Sequence, residues 1–219
     1  MPLSRLALLN RVVPGSALPG ALSRTSIWNL ASLAGRLVEL SGGARAAHLT
    51  AAFGLVLDAQ LGADGAAWVT LERSSFFPPD VVDSGVDIDA LPVVRVPNVR
   101  MAWRAAEHLV RSGGFGLVVI DLSDEIGTKS GPRPSENGLS ASLLARLLGL
   151  ARQQNVAVLF LTKKSQEAPS LHSLISLRAA AEWRRQGEQY EVSVRVLKDK
   201  YCGERRAYRE MCRGPAGLR

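Results

Sequence analysis

Four stretches of this chain hold side chains whose types and spacing bear on phosphate chemistry. After the apolar run Leu37-Val38-Glu39-Leu40 the chain turns through Gly42-Gly43 into a helix-forming segment, where a nucleotide-binding fold puts its phosphate loop. Such a loop reads Gly-x4-Gly-Lys-Ser/Thr: backbone N–H groups cradle the phosphates, the lysine neutralises them and the hydroxyl ligates magnesium. Counted from Gly42, the three chemical positions are filled by Ala47, His48 and Leu49. The frame is kept and the groups are gone. His48 is shorter than a lysine and mostly neutral near pH 7. Leu49 has no ligand atom for a metal, and the Cβ of Ala47 opposes any positive-φ turn that glycine takes freely. Hydrolysis by the usual route is expected to be negligible, because losing a transition-state charge contact costs several kcal/mol. Weak anion binding at the following helix N-terminus is all that such a loop offers.

Two carboxylates stand at strand ends. Asp121 closes the apolar run Leu117–Ile120, at the carboxyl edge where open α/β sheets bind ligands. Its alternative reading is a turn-forming residue. Glu72 follows a second apolar run and either polarises an attacking water or faces a loop. Lys198 and Lys200 continue the alternation of Val192, Val194 and Val196, so both are expected to keep that phase. They form either a subunit contact or a solvated strand end that deters aggregation. Arg205, Arg206, Arg209 and Arg213 are interleaved with Tyr201 and Tyr208. That pattern suits single-stranded nucleic acid, through charge and stacking, or a basic helix docked on an acidic partner. Trp28, Trp68, Trp103 and Trp183 are scattered and read as core or half-buried packing.

The elements that must position these residues follow from the periodicity. Short apolar runs at 35–40, 66–71, 93–96, 115–121 and 156–161 read as buried strands, and 189–197 alternates as a sixth. Helical spacing falls at 26–33, 46–61, 98–112 and 139–153, with shorter candidates at 4–11 and 80–84. Strands apolar on both sides and separated by helices pair in parallel with helices on both faces. The fold class is therefore α/β, with an antiparallel extension in the last third. The division reads as an N-terminal arm over 1–25, a core over 26–200 and a basic tail over 201–219.

Composition bounds the rest. The chain has 219 residues, of which 47% are hydrophobic, enough for one well-filled core. No apolar run approaches the ~18 residues of a membrane span, and the N-terminal run is short for a signal peptide. A cytoplasmic protein is expected. Cys202 and Cys212 with three histidines make no zinc pattern, so no metal is expected and the thiols should be free. The net charge is +7, and it is local: residues 151–219 carry 14 Lys/Arg against 7 Asp/Glu, while residues 1–150 balance at 13 each. That segment should meet something acidic.

Together these residues resemble a RecA-type recombinase core. The resemblance runs over about residues 26–210. It rests on Val38-Glu39-Leu40 with the loop at Gly42, Glu72, the string Gly85-Val86-Asp87-Ile88-Asp89-Ala90-Leu91, Ala106–Gly113, Leu117–Asp121 and Arg195-Val196-Leu197-Lys198-Asp199-Lys200. It implies a RecA-like fold and, for Lys198 and Lys200, a strand whose lysines reach a neighbouring subunit's nucleotide. It also places Thr162 near the recombinases' nucleotide-sensing glutamine, ahead of a DNA-binding loop at 163–172, with a second DNA loop at 128–137. A recombinase-like core without catalytic groups is similar to the ImuA-type proteins of the bacterial DNA-damage response. The resemblance implies a non-catalytic accessory factor of the SOS response that supports error-prone translesion synthesis. It needs no cofactor, and its partners are a RecA-type recombinase or a polymerase-like translesion subunit, with single-stranded DNA as a further partner. A SulA-like division inhibitor and a DNA-dependent ATPase are the alternatives.

Overall fold

The computed structural model describes residues 28–43, 45–74, 84–124, 141–187, 189–201 and 207–213. Eight strands form one sheet: β1 (Leu37–Ser41), β2 (Ala66–Leu71), β3 (Val93–Val96), β4 (Leu117–Asp121), β5 (Ala157–Thr162), β6 (Leu177–Gln186), β7 (Gln189–Asp199) and β8 (Ala207–Arg213). Their order across the sheet is β3-β2-β4-β5-β1-β6-β7-β8. The six strands from β3 to β6 pair in parallel, and β6, β7 and β8 pair antiparallel. The α/β class and its antiparallel extension are as the sequence predicts.

Strands β1, β2, β4 and β5 are buried at every residue because helices cover both of their faces. On one face lies α2 (His48–Leu61), apolar on most sides, burying Ala51, Ala52, Leu55, Val56 and Ala59. The short helix α1 (Leu30–Leu33) is capped by the Asn29 side chain and packs beside it, with Trp28 Nε1 donating to Ala51 O at 3.1 Å. On the other face lie α3 (Val99–Ser112) and α4 (Ala141–Gln154). Asn98 caps α3 through its side chain, and Gly113 ends it in the left-handed region at φ 69, which only glycine adopts without strain. The candidates at 4–11 and 80–84 and the arm at 1–25 fall wholly or largely outside the described residues, as does the loop at 128–137.

Two departures matter for the site. The described part of the basic tail is a strand: β8 lies along β7, with Tyr208 and Cys212 packed on the core and Arg209 and Met211 exposed. The basic helix, one of the two readings of the arginine segment, is not its structure over 207–213. Burial and the nearby Glu210 push the Cys212 thiol up to about 11, and it is free. The second departure is a bulge. Val196 pairs with Ala179 but Lys198 pairs with Arg178, so Leu197 is an extra residue in β7. The bulge reverses the phase, and Lys198 stands with Arg178 on the face opposite Val192, Val194 and Val196, contrary to the alternation read from the sequence.

Candidate functional site

The carboxyl ends of β1, β4 and β5 lie side by side, and the loops leave them toward opposite faces: from β1 into α2, and from β5 under the α4 face. Such a switch point is where doubly wound sheets make a crevice. The β1 loop is pinned at its start, where Gly42 N–H donates to Thr162 O at 3.1 Å. His48 opens α2 and is 7% exposed. Its ring folds back onto Gly42 so closely that a Cβ there would sit 2.2 Å from Nδ1 and 2.7 Å from the Ala46 Cβ. A side chain at 42 would have to displace both the imidazole and Ala46. On the far side of the ring, Nε2 is 3.0 Å from Ser123 Oγ. Among the described residues Nδ1 is buried with no hydrogen-bond partner.

Ser123 N–H in turn donates to Asp121 Oδ1 at 3.1 Å, so Asp121, Ser123 and His48 form one chain of contacts. Burial raises the Asp121 carboxyl above its ordinary value, and bonds from Ser123 pull it part of the way back. Burial lowers the His48 ring below its ordinary value, with Lys163 adding to the effect and Asp124 opposing it. The ring is held neutral. The rest of the loop belongs to the sheet: Ala47 N–H donates to Ala181 O at 3.1 Å, Ala46 bridges Glu182, and Trp183 N–H donates to Arg45 O at 3.0 Å. Leu49 is 37% exposed on the first turn of α2.

The structure thus gathers Gly42, Ala47, His48 and Asp121, and leaves the other predicted residues apart. Glu72 is exposed on the turn past β2, its N–H bonded to Val96 O at 3.0 Å. Lys200 donates through Nζ to Ser173 O. Arg209 lies on β8 opposite Ser193, beside Arg195 in a shallow depression of about 230 Å³ that Glu182 and Glu191 also line. Arg205 and Arg206 lie outside the described residues.

A further cluster sits on the α4 face of β1, centred on Glu39, whose side chain is fully buried. Its Oε1 accepts from Thr162 Oγ1 at 3.1 Å and meets Lys164 Nζ at 2.5 Å, while Oε2 accepts from Leu171 N–H at 2.7 Å and lies 3.9 Å from Arg178 Nε. Lys164 also donates to Pro169 O at 2.8 Å, and Arg178 donates to Ser165 O at 2.8 Å and to Ala168 O. Burial lowers the Lys164 amine, an effect that Glu39 offsets in part. One carboxylate and two cations therefore tie the β5–β6 loop, residues 163–176, to the core. The sequence held the signal in plain view: a glutamate inside a strand buried on both faces must be paired. Behind it, Arg36 bonds Asp199 at 2.5 Å and Ser176 Oγ at 3.1 Å, with its guanidinium 4.6 Å from the Tyr201 ring centre.

No helix among the described residues is long and apolar enough to cross a membrane. No protein-family model matches the chain. Over 129 residues it is 31% identical to the RecA protein of Corynebacterium urealyticum, covering 58% of this chain and 34% of that one. Over 137 residues it is 28% identical to RecA of Acinetobacter baumannii, covering 59% and 39%. RecA of Borrelia hermsii is 26% identical over 137 residues, covering 59% and 38%. The chain spans somewhat more than a third of the length of these relatives. In structure it is similar to the RadB recombinase, with a TM-score of 0.59 and 15% identity, covering 81% of this chain and 87% of that one. Sheet order, sequence similarity and this structural likeness together give the chain a RecA-like fold.

Proposed function

We propose that this protein is a non-catalytic RecA-like accessory factor of the DNA-damage response, of ImuA type. It presents recombinase-like surfaces to a RecA-type recombinase or to a translesion polymerase subunit, and so supports error-prone synthesis without a nucleotide cycle. The observation that carries this reading is the His48 ring seated against Gly42, the place a phosphate loop keeps open. The residues present do not fit a magnesium triphosphate. A neutral imidazole stands where the lysine would, Leu49 brings no hydroxyl, and the Ala47 N–H is already bonded to Ala181. Similarity to RecA proteins over 129 and 137 residues supports the recombination and repair setting. The clamped β5–β6 loop supports the absence of a cycle as well, since Thr162 bonds Glu39 within the core.

Two measurements test it. Phosphate release from ATP with single-stranded DNA should stay at background for the chain and for its Asp121→Ala variant alike. Turnover that depends on Asp121 would establish the ATPase alternative instead. In pull-downs against recombinase and translesion polymerase subunits the unmodified chain should retain one of them, and Lys198→Ala/Lys200→Ala should weaken the capture. Retention of neither sinks the accessory reading.

A further inference from the structure

Past Ala180, β6 runs beyond β1, and its edge is taken by residues 45–47 instead. The antiparallel bridge between Ala46 and Glu182 sets Arg45 directly across from Trp183 on the same face, at the ~5 Å Cβ spacing of cross-strand neighbours. Two residues along β6, Arg185 shares that face. Its cross-strand partner Tyr190 holds Trp183 ring against ring, centroids 5.5 Å apart at an interplanar angle of 76°. Trp183 is 39% exposed, whereas Trp28, Trp68 and Trp103 are at 1% or below. Of the four tryptophans, read from the sequence as core or half-buried packing, Trp183 is the half-buried one, with part of its ring open to solvent. Among the described residues of this face the nearest carboxylate by register is Glu210, and it accepts from the Tyr208 hydroxyl at 2.5 Å.

The frame around the indole decides what it fits. A tryptophan that anchors a protein interface is ringed by groups that exclude water. This one is flanked by two exposed arginines, Arg45 across the bridge and Arg185 two residues along, the latter donating through Nε to Gly187 O at 3.0 Å. A base has a π-face for the indole and a phosphate on either side for the arginines. We propose that Trp183, Tyr190, Arg45 and Arg185 bind single-stranded nucleic acid, a base stacking on Trp183 and its flanking phosphates pairing with Arg45 and Arg185. The charge surplus of residues 151–219 complements that ligand. This deepens the accessory reading by giving nucleic acid a surface among the described residues, and it requires no protein partner.

The test is titration of the full chain into a labelled oligodeoxythymidylate, read by anisotropy and by tryptophan fluorescence, in which Trp183 is the residue open to quenching. The unmodified chain should bind with quenching. Trp183→Ala should weaken binding about tenfold and Trp183→Phe much less, while Arg45→Ala/Arg185→Ala should lower the salt slope by roughly 1.4. Circular dichroism matched across the variants separates lost contact from lost fold. No binding by the unmodified chain overturns the proposal. So does unchanged affinity in Trp183→Ala together with loss in Arg205→Ala/Arg206→Ala. Capture of a protein partner by Trp183→Ala alongside either result leaves the accessory reading standing and removes this one alone.

Discussion

His48 Nε2 lies 3.0 Å from Ser123 Oγ, so the loop after β1 is latched to the loop after β4 through a ring that burial keeps neutral. The latch ties stability to pH. A ring whose folded pKa lies below the unfolded 6.5 takes up its proton in the unfolded chain first, so unfolding gains protons and stability falls as pH drops below about 6.5. Asp121 acts with the opposite sign: its raised carboxyl binds a proton in the folded chain first, and its contribution to stability grows as pH falls through the folded value toward 3.8. Urea midpoints between pH 7 and pH 5 should decline for the unmodified chain and decline less for His48→Gln. An identical decline in both removes His48 as the source.

Gly42 and His48 should behave as one unit. Gly42→Ala puts a Cβ within 2.2 Å of the ring and should cost about 1–3 kcal/mol, as overpacking of a filled core does. In a His48→Ala background the same change should cost at least 0.5 kcal/mol less, roughly the smallest coupling that contacting residues show. The relief stays partial, because the Ala46 Cβ at 2.7 Å remains. Denaturant unfolding of the four chains closes the cycle, and simple additivity would contradict the packing described.

Glu39→Gln leaves Lys164 and Arg178 buried against a neutral amide. The expected cost is about 3–5 kcal/mol, the usual result of removing one partner of a buried ion pair. The loss should be local first. Limited proteolysis within residues 163–176 should speed up before global unfolding does, and equal protection in both chains would show that Glu39 does not hold this loop.

Asp199→Ala strands Arg36, whose side chain is 7% exposed beside a carboxylate at 2%. A loss of about 3 kcal/mol is expected by the same reasoning. Arg36→Met with Asp199→Leu should recover much of it, since apolar replacement of a buried pair is often neutral or better. Thermal melts of the single and double variants decide this.

Much of this was legible from residue pattern. β2 and β3 fall on the residues that hydropathy marks, and α3 begins and ends at its cap residues Asn98 and Gly113. Strands buried on both faces and helices with one apolar stripe leave strong periodic traces. β6 left none, because its first five residues are buried between β1 and β7 while its last five run out past the core. The bulge at Leu197 was invisible for a different reason: it alters which residue pairs with which and leaves composition untouched. At the site, the sequence supplied the identities at 47, 48 and 49 but not the rotamer that lays the imidazole on Gly42. It also placed Glu39 in a strand without naming its partners, since Lys164 and Arg178 reach it from segments more than a hundred residues away.

Residues 45–47 are stitched to β6 by the amide of Ala47 and the carbonyl of Arg45. A lysine introduced at 48 would therefore arrive in a loop whose nearest amide already serves the sheet. An anion cradle at this loop would need that strand edge undone as well as new side chains, so the backbone bonds of Arg45 and Ala47 limit what the loop can hold as much as its side chains do.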